Sequence, residues 1–301
     1  MDIWKEIDAV EHLAKASKLQ RFLSTPLRYL KAQSIRHIFY PIQKKAKLSK
    51  CKTFFGDDIS VLLPAGTDIF LFGAKTHDSE IRLAKFMIKN LNKGDAFLDI
   101  GAHYGYFTLL ASFLVGERGK ILAIEASGST YQRLLENVKD KSNVRALNNA
   151  CADENKKMIF YEFPVMYSEY SSLNIDQYEK EAWLKKYQAK EIKIDAVKVD
   201  DLLLQEKISP KIIKVDVEGA EDQVVQGMEL TLKDRKSMLI VIEYLVQKNQ
   251  SHRLAAKMLH REGFYANFIQ DDGSLEKVEL ENIEKELHKR GLDSENVVFK
   301  S

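Results

Sequence analysis

The fold is decided by residues 97–107, which have the sequence FLDIGAHYGYF. Apolar residues that suit a buried strand lead into two glycines, and a run of large apolar residues that suits a helix follows at once. A strand that turns through glycine directly into a helix is typical of open parallel sheets, in which ligands bind beyond the carboxyl ends of the strands. This stretch therefore predicts a doubly wound α/β sheet with a ligand site at the turn.

The spacing of the two glycines limits the kind of ligand. Gly101 and Gly105 follow a G-x-x-x-G pattern, whereas a turn that binds the pyrophosphate of NAD or FAD has G-x-G-x-x-G. Glu125 ends the next predicted strand, twenty residues after Gly105. A carboxylate at that place can accept hydrogen bonds from both hydroxyls of a ribose. Together these features predict a site for a ribose-containing ligand and disfavour a dinucleotide.

Strands and helices alternate on both sides of this turn. The predicted strands are Ala96–Ile100, Ile121–Glu125, Val144–Leu147, Ile194–Val199, Lys211–Val215 and Met238–Ile242. The predicted helices run from Asp78 to about Leu91 and over Tyr106–Leu114, Ser129–Val138, Ala220–Gln226 and Ser251–Glu262. A terminal hairpin is predicted from Tyr265–Ile269 and Asn296–Phe299, around a helix at Asn282–Arg290. Several strands are continuous apolar runs, as expected for a parallel sheet covered by helices on both faces.

Two smaller parts precede this α/β core, which we assign to residues 76–301. Residues 1–50 are predicted to form a helical, basic N-terminal segment, because apolar residues recur at helical spacing on both sides of Pro26. Residues 51–75 are predicted to form a small β-meander at the start of the domain that spans 51–301. Its strands would be the β-prone runs Lys52–Phe55, Ile59–Leu63 and Asp68–Phe72.

Composition and charge exclude some classes of function. The chain has 301 residues, 45% of them apolar and 30% charged, which is ordinary for a globular protein. Its net charge of +2 creates no overall field that would require a nucleic-acid partner. Cys51 and Cys151 are too few for a disulfide framework and lack metal-ligand spacing. With no recognisable leader pattern, we expect a cytoplasmic protein.

The basic charge is nevertheless concentrated in one place. No acidic residue occurs between Glu11 and Asp57, and lysine and arginine are frequent there. Residues 12–56 have two interpretations at this point. One is a helical cap with a solvated basic face, and the other is peripheral docking onto an anionic membrane or a charged glycolipid.

A second motif lies at residues 212–221, which have the sequence IIKVDVEGAE. Asp216 comes where an apolar strand ends, so it should lie at the same sheet edge as Asp99. The closely spaced acids and base suit proton transfer or substrate orientation. They could also form a charged strand–helix boundary, with Glu221 favouring the start of a helix. Asp216 and Glu218 could alternatively hold a divalent cation through oxygen ligands.

Three stretches together resemble the FkbM family of methyltransferases: residues 99–106, 199–202 and 214–221. The resemblance covers about residues 51–270. It implies a Rossmann-like class I methyltransferase fold, S-adenosylmethionine as methyl donor, and O-methylation of a hydroxyl on a sugar or secondary metabolite. The resemblance assigns donor binding to Asp99, Gly101, Gly105 and Glu125. We expect further donor contacts from the neighbouring residues Ala102, His103, Tyr104, Ala126 and Asn149. His103 departs from the family pattern, which commonly has Asn at this position.

The methyl group of a sulfonium is already reactive, so the enzyme must mainly hold the donor sulfur, the methyl group and the acceptor oxygen in line. A hydroxyl acceptor also needs a proton acceptor, and the candidates in order are Asp216, Glu218 and His103. We expect a small-molecule or glycan acceptor and no nucleic acid, because no Pro-Pro-aromatic motif follows the fourth strand. The other functions considered are a nicotinamide-dependent oxidoreductase, disfavoured by the glycine spacing, and a non-catalytic binding protein.

Overall fold

The computed structural model describes residues 1–179, 181–234, 238–246 and 250–301. The helices in these residues are α1 (Ile3–Lys15), α2 (Lys18–Ser24), α3 (Pro26–Ser34), α4 (Tyr40–Gln43), α5 (Thr67–Phe72), α6 (Asp78–Asn90), α7 (Tyr106–Val115), α8 (Gly128–Val138), α9 (Val199–Glu206), α10 (Glu221–Gln226), α11 (Glu229–Lys233), α12 (Ser251–Arg261) and α13 (Ile283–Arg290). A π-helical turn, Ile35–Phe39, joins α3 to α4. Short 3₁₀ helices are Val165–Tyr170, Asp176–Tyr178 and Leu280–Asn282.

The strands in the same residues are β1 (Lys47–Lys52), β2 (Asp58–Leu63), β3 (Ala96–Ile100), β4 (Lys120–Ile124), β5 (Val144–Leu147), β6 (Ala150–Cys151), β7 (Lys156–Glu162), β8 (Lys190–Val197), β9 (Ile212–Val215), β10 (Leu239–Leu245), β11 (Tyr265–Ile269), β12 (Leu275–Lys277) and β13 (Ser294–Lys300). Of the helices, none is both long enough and apolar enough to cross a bilayer, within the part of the chain that the structure describes.

The central sheet has the strand order β12-β11-β13-β10-β9-β3-β4-β5. Strands β10, β9, β3, β4 and β5 are parallel, and β13 is inserted antiparallel between β10 and β11. The chain leaves β3 toward β4 and β5 and then returns to β9 on the other side of β3. This reversal is the switch point of a doubly wound sheet, which confirms the predicted fold. The two sequence motifs follow β3 and β9 and so meet there.

Helices cover both faces of the sheet. Phe97 of β3 joins a core with residues of α6, α7 and α8, whereas Leu98 and Ile100 join a second core with residues of α9, α10 and α12. Successive side chains of a strand point to opposite faces, so a strand buried on both sides needs apolar residues throughout. The terminal hairpin is also confirmed, because β11 and β13 pair antiparallel with α13 between them in the chain.

The predicted β-meander is wrong in part. Residues 47–63 form a two-stranded antiparallel ribbon, β1 and β2, but the predicted strand Asp68–Phe72 is the helix α5. This helix lies between Gly66 and Gly73, which adopts the left-handed conformation that ends many helices. Tertiary packing overrides the β-propensity of the segment because Ile69, Phe70 and Leu71 are buried and Phe72 is half-buried. The predicted strand at 52–55 is also displaced, since β1 ends at Lys52.

The N-terminal helices share a core with the α/β domain. Ile7 and Val10 of α1 are buried in the same cluster as the residues of α6. The buried ammonium of Lys85 on α6 lies 2.6 Å from a carboxylate oxygen of Glu11 and 3.0 Å from one of Asp8. Burying the charged ammonium of a lysine is costly unless carboxylates pair with it in this way. Helix α1 is therefore fixed to the domain by both packing and charge.

Candidate active site

The two glycines of the turn after β3 are required by steric contacts. Gly101 has a φ of +80°, and a Cβ atom there would lie 1.7 Å from the carbonyl oxygen of Asp216. Gly105 has a φ of +84°, and its Cβ would lie 2.6 Å from Cδ1 of Leu134. Any other residue at 101 would push apart the turns that follow β3 and β9. The closeness of these two turns is the main geometric feature of the site.

Glu125 fastens the turn from the end of β4. Its Oε2 accepts a hydrogen bond of 2.8 Å from the backbone N–H of His103, and its Oε1 accepts one of 2.9 Å from that of Ser127. The side chain is buried, and burial raises the pKa of Glu125 to about 7 although both hydrogen bonds favour the ionised form. Glu125 therefore holds the backbone of the turn as well as facing the site.

A cavity of about 340 Å³ opens at the switch point of the sheet. The predicted donor residues on its wall are Gly101, His103, Glu125, Ala126 and Asn149. Apolar side chains beside them include Ile124, Phe160 and Leu173. Cavities of this size and mixed character are typical of small-molecule sites.

The other predicted donor residues lie behind the cavity wall. Asp99 is fully buried, accepts a 2.6 Å hydrogen bond from the hydroxyl of Thr108, and lies 3.6 Å from the ammonium of Lys214. Ala102 and Tyr104 are buried inside the turn, and Gly105 precedes α7. Asp99, Ala102, Tyr104 and Gly105 therefore support the turn from behind. A direct contact of any of them with the donor stays a prediction.

Lys214 of β9 supplies positive charge beneath both turns. Its buried ammonium lies 2.9 Å from Oδ2 of Asp216 and 3.5 Å from the carbonyl oxygen of Gly101. Burial alone would lower the pKa of Lys214, but the carboxylates of Asp216 and Asp99 outweigh it and raise the pKa overall. Burial likewise opposes ionisation of Asp216, but Lys214 and then Lys75 hold its pKa below the ordinary value. Asp216 is therefore ionised at neutral pH.

Asp216 belongs to a cluster of three carboxylates, which we call the acidic cluster. Asp216, Glu218 and Glu243 each place a carboxylate oxygen within 4.8 Å of the others. Burial, and then the charge of Asp216, raise the pKa of Glu218 to about 8 and that of Glu243 well above its ordinary value. The hydroxyl of Tyr178 donates a 2.6 Å hydrogen bond to Oε2 of Glu218. The cluster thus holds exchangeable protons near neutral pH.

His103 is poorly suited to take a proton. Burial, and then the positive charge of Lys75, lower the pKa of its imidazole to about 3. The ring is held by a 3.1 Å contact between Nε2 and the hydroxyl oxygen of Ser168. A neutral imidazole of such low pKa can exchange hydrogen bonds with a ligand but is a weak base.

Comparison with known families now adds to this geometry. The sequence profile of the FkbM methyltransferase domain matches residues 99–266, more than half of the chain. The chain belongs to the FkbM methyltransferase family. The matched region contains both turns and the whole acidic cluster. This FkbM protein is a methyltransferase that uses S-adenosylmethionine.

Comparison with individual proteins adds little to the family assignment. No curated protein matches the chain. Among solved structures it is similar to precorrin-6y C5,15-methyltransferase from Geobacter metallireducens, at 13% identity and a TM-score of 0.40, over 74% of this chain and 87% of that one. Another is a putative rRNA methylase from Clostridium thermocellum, at 10% identity and a TM-score of 0.42, over 75% and 97%. Fibrillarin from Aeropyrum pernix, solved with bound S-adenosylmethionine, has 12% identity and a TM-score of 0.39, over 72% and 73%.

The FkbM site also contains residues that sequence reasoning missed. Lys75 lines the cavity, forms an ion pair with Glu80, and lies 3.6 Å from a carboxylate oxygen of Glu169. No motif marks these residues, because they come from three separate segments that the fold brings together: the connection after α5, helix α6 and the 3₁₀ helix Val165–Tyr170. Glu243 did carry a signal, since it is a single acid within the otherwise apolar run of β10. Ser294 of β13 completes this side of the cavity.

Residues 168–171 and Leu173 line one side of the FkbM cavity, and aromatic rings hold together the described residues around them, 163–179 and 181–187. The rings of Tyr167 and Trp183 stack with centroids 4.2 Å apart and an angle of 9°. Tyr170, which lines the cavity, lies 5.4 Å from Trp183. Stacked aromatic pairs of this kind stabilise a segment that has little regular secondary structure. The segment is therefore an ordered wall of the site.

Proposed function

We propose that this methyltransferase transfers a methyl group from S-adenosylmethionine to a hydroxyl of a sugar or another polyhydroxylated acceptor. The observation that carries the proposal is the acidic cluster, which faces the same cavity as the turn after β3. A hydroxyl is a poor nucleophile until its proton is taken, and carboxylates of raised pKa are suited to that task.

The donor half of the cavity fits S-adenosylmethionine chemically. Glu125 can accept hydrogen bonds from the ribose hydroxyls with the lone pairs that its two backbone partners leave free. Ile124, Phe160 and Leu173 offer apolar surface for a flat base. The first turn of α7 offers backbone N–H groups for a carboxylate. When bound, the donor supplies a methyl group that its sulfonium has already activated.

Within the acidic cluster we assign proton transfer to Glu218 and orientation of the acceptor to Asp216. Asp216 is ionised, but its ion pair with Lys214 makes it the weaker base. The pKa of about 8 gives Glu218 a stronger affinity for the proton that the acceptor oxygen loses as it bonds to carbon. The hydroxyl of Tyr178 fixes the direction of the Glu218 carboxylate. This order reverses the ranking of the two residues that the sequence suggested.

The charges around the cavity favour a neutral, hydroxyl-rich acceptor over a nucleic acid. Glu80 and Glu169 add further carboxylates to the wall that holds the acidic cluster. Carboxylates outnumber the lysines of the cavity wall, Lys75 and Lys214, so the wall disfavours phosphate groups. Proteins that bind nucleic acid instead line their sites mainly with lysine and arginine. Ser294 and Asn296 offer hydrogen-bonding groups suited to several hydroxyls.

The experiment is methyl transfer from radiolabelled S-adenosylmethionine to fractionated polar extracts and glycans, with the product then treated with alkali. A methyl ether survives alkali, whereas a methyl ester releases methanol. With the labelled acceptor we expect the rate to rise with pH through about 8, because Glu218 must be deprotonated to act as the base.

Glu218→Gln should lower kcat by about 10²- to 10⁴-fold, remove this pH dependence and leave donor affinity unchanged. The exposed Glu229→Gln is the matched control. Label in RNA, an alkali-labile product, or a Glu218→Gln enzyme with normal turnover would each contradict the proposal.

A further inference from the structure

The N-terminal helices α2 to α4 expose large apolar side chains in a cluster. Leu27 is 82% exposed and Ile42 is 77% exposed. We call the whole set the N-terminal apolar surface. It consists of Leu19, Leu23, Leu27, Leu30, Ile38, Phe39 and Ile42. Single exposed leucines are normal on protein surfaces, but seven large apolar side chains within 24 residues need an explanation.

The spacing places these side chains together within each helix. Leu19 and Leu23 are four residues apart on α2, and Leu27 and Leu30 are three apart on α3, which begins after the non-helical Thr25. Ile38 and Ile42 are again four residues apart. The opposite side of the α3–α4 helix is buried against the domain through Ala32, Ile35 and Tyr40. A helix that is apolar on two sides is expected to have apolar surroundings on both. The domain provides only one of them.

Basic side chains border this surface. The exposed ones are Lys18, Arg28, Lys31, Arg36, Lys44, Lys45, Lys47 and Lys50. Within the described ranges none of them forms an ion pair with a carboxylate. The nearest ion pairs along the chain lie at the two ends of the acid-free stretch and join Lys15 to Glu11 and Lys52 to Asp58. The surface therefore combines uncompensated positive charge with exposed aliphatic side chains.

We propose that this surface docks on an anionic lipid bilayer. The aliphatic side chains of the N-terminal apolar surface enter the region between headgroups and acyl chains, and the lysines and arginines contact lipid phosphates. A nucleic acid would use the positive charge but not the leucines. A second copy of the chain would cover the leucines but would bring like charges together. An anionic bilayer matches both features at once.

The test is sedimentation of the full chain with vesicles of phosphatidylcholine, with and without phosphatidylglycerol. We expect binding only to the anionic vesicles in about 0.1 M salt and its loss in about 1 M salt, where the Debye length falls from about 10 Å to about 3 Å. Leu27→Ser with Ile42→Ser should weaken binding by about tenfold or more, because two apolar insertions are lost. Arg36→Glu with Lys47→Glu should weaken it by a similar factor.

Matched control pairs lie elsewhere on the surface. Leu204 and Leu230 are 79% and 69% exposed, so Leu204→Ser with Leu230→Ser makes the same chemical change outside the proposed surface. Lys257→Glu with Lys285→Glu is the corresponding charge control, because both lysines are exposed on α12 and α13. Both control pairs should bind vesicles like the wild type, and thermal unfolding should show that all four pairs are folded.

Several outcomes would overturn the proposal. These are equal binding to neutral vesicles, no binding to either kind, or control pairs as defective as the test pairs. Poly(U) RNA that binds the wild type and the Leu27→Ser, Ile42→Ser pair equally tightly would assign the basic surface to nucleic acid. A dimer in sedimentation velocity that the same pair dissociates would assign the apolar surface to a second copy.

Discussion

Replacing Glu125 by glutamine exchanges one carboxylate oxygen for an amide group and leaves the shape of the side chain nearly unchanged. Both oxygens of Glu125 are in use, at 2.8 Å from the backbone nitrogen of His103 and 2.9 Å from that of Ser127. Glutamine has one acceptor oxygen, so one backbone N–H would face an amide NH₂. A buried N–H without an acceptor costs about 1–3 kcal/mol, and we expect the free energy of unfolding to fall by that amount at pH 6, where Glu125 is largely protonated.

The same substitution should weaken donor binding. Hydrogen bonds from hydroxyls to a charged group contribute about 1.5–3 kcal/mol, and those to a neutral group contribute about 0.5–1.5 kcal/mol. For the two ribose hydroxyls the expected loss is about 2–3 kcal/mol, or about 30- to 150-fold in affinity. The predicted loss therefore exceeds the effect of a surface mutation by a wide margin.

The pH dependence provides a second readout. Burial raises the pKa of Glu125 from 4.5 to about 7, so the folded protein binds this proton more readily than the unfolded chain. The stability that this group contributes is therefore full below pH 4.5 and is lost as pH rises to about 7, by about 3 kcal/mol in all. Donor affinity should change in the opposite direction, because the hydroxyls bind the ionised carboxylate more tightly. Glu125→Gln should lack both trends.

The assay is calorimetric titration with S-adenosylhomocysteine at pH 6, 7 and 8, together with urea unfolding at the same pH values. Glu136→Gln on the exposed face of α8 is the matched control and should behave like the wild type. A Glu125→Gln protein that binds with unchanged affinity and keeps the wild-type pH dependence would refute the assigned role of this carboxylate.

Two further predictions concern the parts that join the turns. Gly101→Ala should abolish donor binding or folding, because its Cβ would lie 1.7 Å from a backbone oxygen. Gly94 also has a positive φ, of +90°, but no atom within 4 Å of the added Cβ, so Gly94→Ala should cost only about 1–2 kcal/mol. Circular dichroism melts compare the two variants, and similar losses would contradict the steric argument. Lys214→Met should lower stability by about 3–5 kcal/mol at pH 8, because it leaves buried carboxylates without their counter-charge, and by less at pH 5, where they can be protonated. The control is Lys211→Met, because the half-exposed ion pair of Lys211 with Asp95 contributes little to stability. Urea unfolding at both pH values measures the two variants, and equal losses of stability would contradict the reasoning.

The sequence predicted the features that depend on local constraints. The turn at Gly101 and the helix after it follow from glycine conformations, and the strands follow from continuous apolar runs. The continuous apolar run of β3 did not show which face of the sheet Asp99 lies on. The structure places it on the face that holds Thr108. A strand buried on both faces has no alternation of polar and apolar residues, so the pattern does not reveal which way a given side chain points.

The acceptor side of the cavity depends on long-range contacts, and the sequence predicted only Asp216 and Glu218 of it. Glu243 joins the acidic cluster because β10 pairs beside β9, and Lys75 enters the cavity from the connection between α5 and α6. Neither placement follows from spacing along the chain. Helix α5 was missed for a related reason, because burial of Ile69, Phe70 and Leu71 decided its conformation against their β-propensity.

The contact between Gly101 and Asp216 joins main chain to main chain, and the N–H of Asp216 also donates a 3.0 Å hydrogen bond to the carbonyl of Ile100. The separation between the two turns is thus fixed by close backbone packing and a backbone hydrogen bond, which no side chain can adjust. The outer walls are held differently. Ser172 contacts the turn after β9 through its side chain, whose hydroxyl donates to the carbonyl oxygens of Val217 and Glu218, and β13 lies beyond β10 in the sheet. Substrate range in such an architecture can drift over evolutionary time by exchange of the outer walls, while the distance over which the methyl group travels stays constant.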